Sequence, residues 1–214
     1  KGRSIEFDPN VPSAYLFFLL LNKISMALRG LIRTRRIVFL GKGARVRRSA
    51  QFFPGLGVEI GSYTQIDCLS RQGITMGHGS RIGAFSLVSV SGTLRDLGES
   101  ISIGNHVGIG DYAHIGGAGG VTIGDYTITG AFLSIHPENH NFQDSSLPIS
   151  WQGVSRQGIS IGRDCWLGAK VTLLDGAKIG NGCVVAAGAV VVGEFGDNCV
   201  IGGVPARILK SRFE

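Results

Sequence analysis

The sequence predicts an all-β chain wound as a parallel β-helix, and three observations carry that reading. Ile161, Leu167, Leu173, Ile179, Val185 and Val191 recur at a strict six-residue interval, a period that fits neither an amphipathic helix nor an alternating strand. The fifth position of each hexad is small (Cys165, Val171, Ala177, Cys183, Ala189), and the second is usually Gly or Ala (Gly162, Gly168, Gly180, Ala186). The same register returns upstream at Ile60-Gly61, Ile82-Gly83, Ile103-Gly104, Ile109-Gly110, Ile115-Gly116 and Ile123-Gly124. A short strand plus a turn is too small to bury its own apolar face, so such units must stack. The first and fifth positions point the same way across the pleat and fill the inside of a coil. Gly at the second position suits a corner that needs φ > 0 or has no room for a Cβ. The repeat covers residues 55–135 and 159–203, which at three hexads per coil makes about seven coils. A Gly-rich β-sandwich does not hold a six-residue phase over this length.

A chain of 214 residues with mean hydropathy +0.23 is long enough for one domain with appendages. Its charge is unevenly placed. Residues 1–48 hold 11 of the 21 Lys and Arg but only Glu6 and Asp8, so they carry +9 and the remainder −3. The basicity belongs to an N-terminal arm, residues 1–36, rather than to the repeat domain, residues 37–204. Within the arm, residues 13–32 read as a helix, with Pro12 suited to its first turn. Its uninterrupted apolar run, Ala14 to Leu21, is too short for a membrane span of about 20 residues. Arg33, Arg35, Arg36, Lys42, Arg45, Arg47 and Arg48 follow. Two placements are open: the helix caps the end of the β-helix or packs on a neighbouring subunit, or it lies on the anionic inner face of a membrane. Nucleic acid is not an expected partner, because the stretch has no aromatic stacking platform or groove-reading module. The chain starts at Lys1 without Met, as a fragment would, and shows no signal peptide with a cleavage site.

Four cysteines, Cys68, Cys165, Cys183 and Cys199, form no CxxC pair, which gives little support for zinc. Cys165 and Cys183 share a hexad position and should stack on adjacent coils; small buried core residues are the expected role, ahead of a redox pair. Between Ile135 and Ile159 the period stops at a polar insert containing His136, His140 and Trp151. A loop leaving a rigid scaffold is where binding and catalytic groups often sit. The loop spans 136–158, and residues 205–214 are expected to form a C-terminal helix.

The hexads, the Asn-His-Asn-Phe of residues 139–142, the Pro148-Ile149-x-x-Gln152-Gly153 run, the Cys165-Trp166-Leu167-Gly168 run and the Gly202-Gly-Val-Pro-Ala-Arg207 run together resemble the hexapeptide-repeat acyltransferases. The nearest branch is the maltose/galactoside O-acetyltransferase-like one, which includes enzymes that acetylate bacterial polysaccharides. The resemblance extends over residues 37–213. It implies a left-handed β-helix shaped as a triangular prism, an exception to the usual crossover hand, and a homotrimer with acetyl-CoA channels between prisms. It also implies a cytoplasmic enzyme that transfers acetyl to a saccharide hydroxyl.

The resemblance puts the catalytic base 17 positions after Ile123, at His140, and leaves His136 to shape the loop beside Pro137. An imidazole suits the task because it can accept a hydroxyl proton near neutral pH. Glu138 or Asp144 could orient it. Trp166 and Gly168 match the acetyl and pantetheine region, Ala169 and Ala187 the coil-edge contacts to CoA, and Arg207 and Lys210 the basic positions at its nucleotide end. The family's sugar-contacting Asn falls at Gly110, with Asp111 beside it; Asp111 and Asn139 are the acceptor-side candidates. The family's Thr-Lys pair after the last hexads is Val192-Gly193 here, so one cationic contact is missing. No metal is expected. Transfer to the amine of an amino-sugar nucleotide is the alternative reaction. A γ-type carbonic anhydrase, which would need three zinc-binding His, and a non-catalytic scaffold are more distant ones.

Overall fold

The structure is a computed structural model and describes residues 7–213; Lys1, Arg3 and Glu6 of the arm, and Glu214, lie outside them. Short strands stack into three sheets whose neighbours are three strands apart in sequence, or five where the two loop strands intervene, which is the topology of a coil turning through three faces. The first face begins at Phe39–Leu40, and within it Ile128–Thr129 sits beside Trp166–Leu167 and then Val184–Val185. The second contains His114–Gly116, Ser134–His136 and Thr172–Leu174. The third contains Val121–Ile123, Ile159–Ile161 and Lys178–Ile179. All pairings along the column are parallel, and the second and third faces have seven strands each, which matches the coil number the hexads predict.

The hexad positions divide the labour of a corner. First-position residues such as Leu167, Leu173 and Val185 and fifth-position Val171, Ala177 and Cys183 are all buried inside the column. Second-position glycines keep ordinary φ; what they lack is space, since a Cβ at Gly168 would meet the backbone nitrogen of Ala187 at 2.6 Å. The left-handed φ falls two residues later, at Asp164, Lys170, Gly176 and Gly182. Third-position Asx side chains accept from the coil beneath: Asn105 Oδ1 from the His78 N–H at 2.9 Å, Asp125 Oδ1 from Asn105 at 2.6 Å, and Asp111 Oδ1 from Ala84 at 2.8 Å. The Asn105 hydrogen bonds hold the Asp125 carboxyl below the usual carboxylate range.

A non-Gly residue in the left-handed region costs about 1–2 kcal/mol. At one corner that cost is offset by stacking, worth about 0.5–1.5 kcal/mol per aromatic pair: Tyr63, Phe85, Tyr112 and Phe132 form a column of rings with centroids 5.3, 5.2 and 5.0 Å apart. At another, a ladder of small polar side chains bonds glycine carbonyls one coil on: Thr127 Oγ1 to Gly162 O at 2.8 Å, and Cys165 and Cys183 Sγ to Gly180 and Gly196 O at 3.1 Å each. Cys165 and Cys183 therefore occupy the equivalent place on successive coils, and all four cysteines are free. Burial raises the Cys165 and Cys183 thiols above their ordinary pKa and pushes Cys68 up to about 12.

The two ends of the column are closed differently. The helix Ser13–Thr34 packs its Met26, Gly30 and Thr34 face over the first coil. These positions are four apart and share one side of a helix. A Cβ at Gly30 would overlap the Val38 carbonyl, while Arg29 Nε and Arg33 Nη1 donate to the Leu40 and Ala44 carbonyls at 2.9 Å each. The C-terminal half of this helix is thus a cap. At the other end the expected C-terminal helix over 205–214 is absent. Ala206–Ser211 is instead a strand, antiparallel to Cys199–Gly203. Gly203 at φ 102 and Pro205 turn the chain back on itself. The last parallel strand offers an unpaired row of backbone groups, and an extended segment satisfies them where a helix could not.

Candidate functional site

The loop leaves the second face after Ile135 and rejoins the third at Ile159. Asn139–His140 pairs antiparallel with Val154–Ser155, so the loop returns on itself as a hairpin. Gln152 staples its tip: Nε2 donates to the Asp144 and Leu147 carbonyls at 2.7 and 3.0 Å, and Oε1 accepts from the Asp144 N–H at 3.0 Å. Asn141 fastens the arms, its N–H and Nδ2 each donating at 3.1 Å to the carbonyls of Gly153 and Gln152. Buried Asp175 anchors the return, accepting from the Gln157 and Gly158 N–H groups at 2.9 Å.

A cleft of about 480 Å³ opens between this loop and the second face, and His114, His136, Glu138 and His140 all line it. His136 stacks on His114 with centroids 5.2 Å apart, and its Nε2 lies 2.7 Å from Ser134 Oγ. Partial desolvation against the cleft wall, and then the neighbouring His114, hold its pKa below the usual imidazole value, although much of the side chain stays exposed. The cleft thus gathers more imidazole than the resemblance assigns to it. His136 does more than shape the loop: its ring is part of the wall. His140 is exposed on the short strand, and its neighbour Asn139, one residue away on a strand, projects to the opposite side.

Both acids that could orient His140 are engaged elsewhere. Glu138 is held by Arg156 at 2.7 Å, and Arg156 also holds Asp96 at 2.8 Å, clasping the loop to the excursion at residues 92–98. Asp144 accepts from the Ser146 N–H at 2.9 Å and hydroxyl at 2.6 Å, which lowers its pKa. Asp111 serves the coil corner and is not among the cleft residues.

The residues expected on the donor side lie on another part of the column. Trp166 stands 56% exposed on the first face, between Ile128 and Val184. Ala169 and Ala187 are exposed on successive coils at the corner that follows. Gly130 and Gly168 bring the backbones so close there that a Cβ on either would meet the next coil at 2.6 Å. Small side chains on a tight backbone leave a shallow edge here. Arg207 and Lys210 are exposed on the terminal strand. Among the described residues no group of three or more His, Cys, Asp or Glu is placed to hold a metal ion.

Residues 158–193 match the family described as Bacterial transferase hexapeptide (six repeats). That match and the hexads place residues 158–193 among the hexapeptide repeats of bacterial transferases. The chain is 33% identical over 181 residues to the Mycobacterium tuberculosis protein named "Probable acetyltransferase Rv3034c", covering 85% of this chain and 52% of the relative. It is 38% identical over 117 residues to WbbJ of Escherichia coli, provisionally named a lipopolysaccharide biosynthesis O-acetyl transferase, covering 51% and 60%. The chain thus spans a little over half the length of these relatives. In fold it is similar to AntD, an N-acyltransferase from Bacillus cereus solved with dTDP and coenzyme A, at TM-score 0.56 and 22% identity over 74% of this chain and 85% of that one.

The residues that build this loop are only partly visible in the sequence. Gln152 and Asn141 sit in the motifs that carry the resemblance, and the structure shows both as fasteners. Arg156, Asp175 and His114 carry no local signal. Each matters through a partner 17 or more residues away, Glu138, Gly158 and His136, and only a coil repeat long enough to stack them brings those pairs together.

Proposed function

We propose that the protein is an acetyl-CoA-dependent O-acetyltransferase of saccharide hydroxyls, acting on a unit of bacterial surface or exported polysaccharide, with His140 as general base. The observation that carries the reading is the cleft where the hexads break off, lined by His140 and a neutral-favouring His136. A sugar hydroxyl is a poor nucleophile. His140 takes its proton as the oxygen attacks the thioester carbonyl carbon, and the imidazolium then returns the proton to the departing CoA sulfur. Acetyl-CoA supplies an activated acyl carbon, so no covalent enzyme intermediate is required. His136, kept neutral, adds no positive charge that would hinder protonation of His140.

Trp166 sits on the first face, whereas His140 stands on the loop hairpin beside the second. A homotrimer in which the alanine edge of one copy faces the loop of the next would unite donor and base, and this supports a trimeric enzyme with its channel between copies. Arg207 and Lys210 would meet the phosphates of CoA. The second reading, transfer to the amine of a sugar nucleotide, uses the same cleft; the N-acyltransferase AntD shares the fold.

The test is incubation of the full chain with acetyl-CoA and a panel of glycans and nucleotide sugars, with products read by mass spectrometry. An alkali-labile ester is expected; an alkali-stable amide supports the second reading. His140→Ala should lower turnover by roughly 10²–10⁴ with the oligomer intact. Full turnover in that variant removes His140 from the role.

A further inference from the structure

The helix that caps the first coil does so with only half its length. Its buried positions are Met26, Gly30 and Thr34, and from Ser13 to Asn22 no side chain is buried. That projecting stretch is apolar on every side: Tyr15, Phe17, Phe18, Leu20 and Leu21 are all exposed, Phe18 by 67%. A helix apolar all round belongs in an apolar medium. Below it, Ile32 at 78% and Ile37 at 67% exposure alternate with Arg33, Arg35 and Arg36.

The charge around this end is mostly positive. Residues 9–58 contain nine Lys or Arg and no Asp or Glu. Lys23 is neutralised by Glu59, and Arg47 lies 4.0 Å from Asp67, whereas Arg45 and Arg48 of the first coil are exposed. The opposite end of the column is closed by the terminal hairpin. Apolar rings beside a net cationic rim match an anionic lipid surface, with guanidinium heads at the phosphates and stems in the boundary.

We infer that the helix end of the column docks on an anionic bilayer, with residues 13–22 and the exposed apolar side chains after them embedded in one leaflet. By length and composition the helix could cross a membrane. Its attachment argues for lying in the surface instead: Lys23, Arg29 and Arg33 bolt it to the column, and the ten residues left free reach about 15 Å, half of a hydrocarbon core of about 30 Å. The inference goes beyond acyl transfer and does not depend on it.

Flotation of the full chain with phosphatidylcholine vesicles, with and without phosphatidylglycerol, tests it. Binding to the anionic vesicles should exceed that to the neutral ones at least about tenfold and weaken as salt is raised. A Phe17→Asn, Phe18→Asn, Leu20→Asn variant should lose about tenfold or more of this binding. An Arg35→Gln, Arg45→Gln, Arg48→Gln variant should erase the preference for anionic lipid. These side chains are exposed, so the melting temperature should hold in both variants, and transfer to a soluble acceptor is read separately. Absence of binding, or equal binding to both vesicles, overturns the proposal. So does an oligomer that falls apart in the apolar variant while the parent chain ignores vesicles, which would assign the helix to a second copy.

Discussion

A side chain inside the column and one in the 136–158 loop are held by different means. Leu173 and Val171 are fully buried, with equivalent residues on the coils above and below, so each position is fixed many times over. The loop rests on a few polar fasteners: Gln152 at the tip, Asn141 between the arms, Arg156 to the neighbouring excursion and Asp175 at the return. The column draws stability from repetition, and the loop draws position from single contacts. A substitution in the column should therefore be felt as stability, and one in the loop as geometry of the cleft.

The largest expected effect is Gly168→Val. The added Cβ has the Ala187 nitrogen at 2.6 Å and the Ala187 Cα at 2.8 Å, both backbone atoms that cannot turn aside. The coil must open, at a cost of about 3 kcal/mol or more, which for a domain of this size lowers the melting temperature by about 6–12 °C. Calorimetry decides it. A variant melting within a degree of the parent would show that adjacent coils can slide apart, and the contrast drawn above would fail.

The loop should respond the other way. Gln152→Ala removes three hydrogen bonds from an exposed tip. The melting temperature should fall by less than about 3 °C, because exposed loops contribute little to global unfolding. Acetyl transfer should fall about 10–100-fold, since a displacement of about 1 Å at a reacting group is enough. Equal loss of stability and activity would mean that the loop is a structural part of the column.

The same division explains what could be read from the residues alone. A hexad needs only its own small and large apolar positions to be recognised, so the column was legible from residue 55 onward. Its first coil was not, although Leu40, Val46 and Phe52 keep the six-residue interval with Ala44 at the small position, because the phase slips by two residues before Ile60 and cuts this short run off from the rest. The terminal strand was misread as a helix: Ala-Arg-Ile-Leu-Lys-Ser is compatible with either, and an unpaired sheet edge decided it. In the site, His140 was singled out by the resemblance, which sets the base 17 positions after Ile123, and Trp166 by its motif. The stacked pair His114 and His136 did not, since one stands on the coil before the other and their contact exists only once the strands are in register.

That stacked pair gives the smallest and most discriminating effect. His136 is held below the ordinary imidazole pKa by burial first and by His114 second, and Glu138 and His140 line the same cleft. The unfolded chain, with a histidine pKa near 6.5, binds more protons than the folded one between that value and the depressed one. Stability from this group is therefore fully present above about pH 6.5 and is lost as pH falls through the folded pKa. NMR titration of the imidazole C–H signals should place His136 below an ordinary histidine. His114→Asn should move it only part of the way back, because burial persists when the neighbouring charge is gone. Full return to the ordinary value would make His114 the main cause. Titration at or above the ordinary value in the parent would mean that water reaches the wall of the cleft as freely as it reaches the loop, and the His136 ring would then belong with the exposed loop rather than with the column.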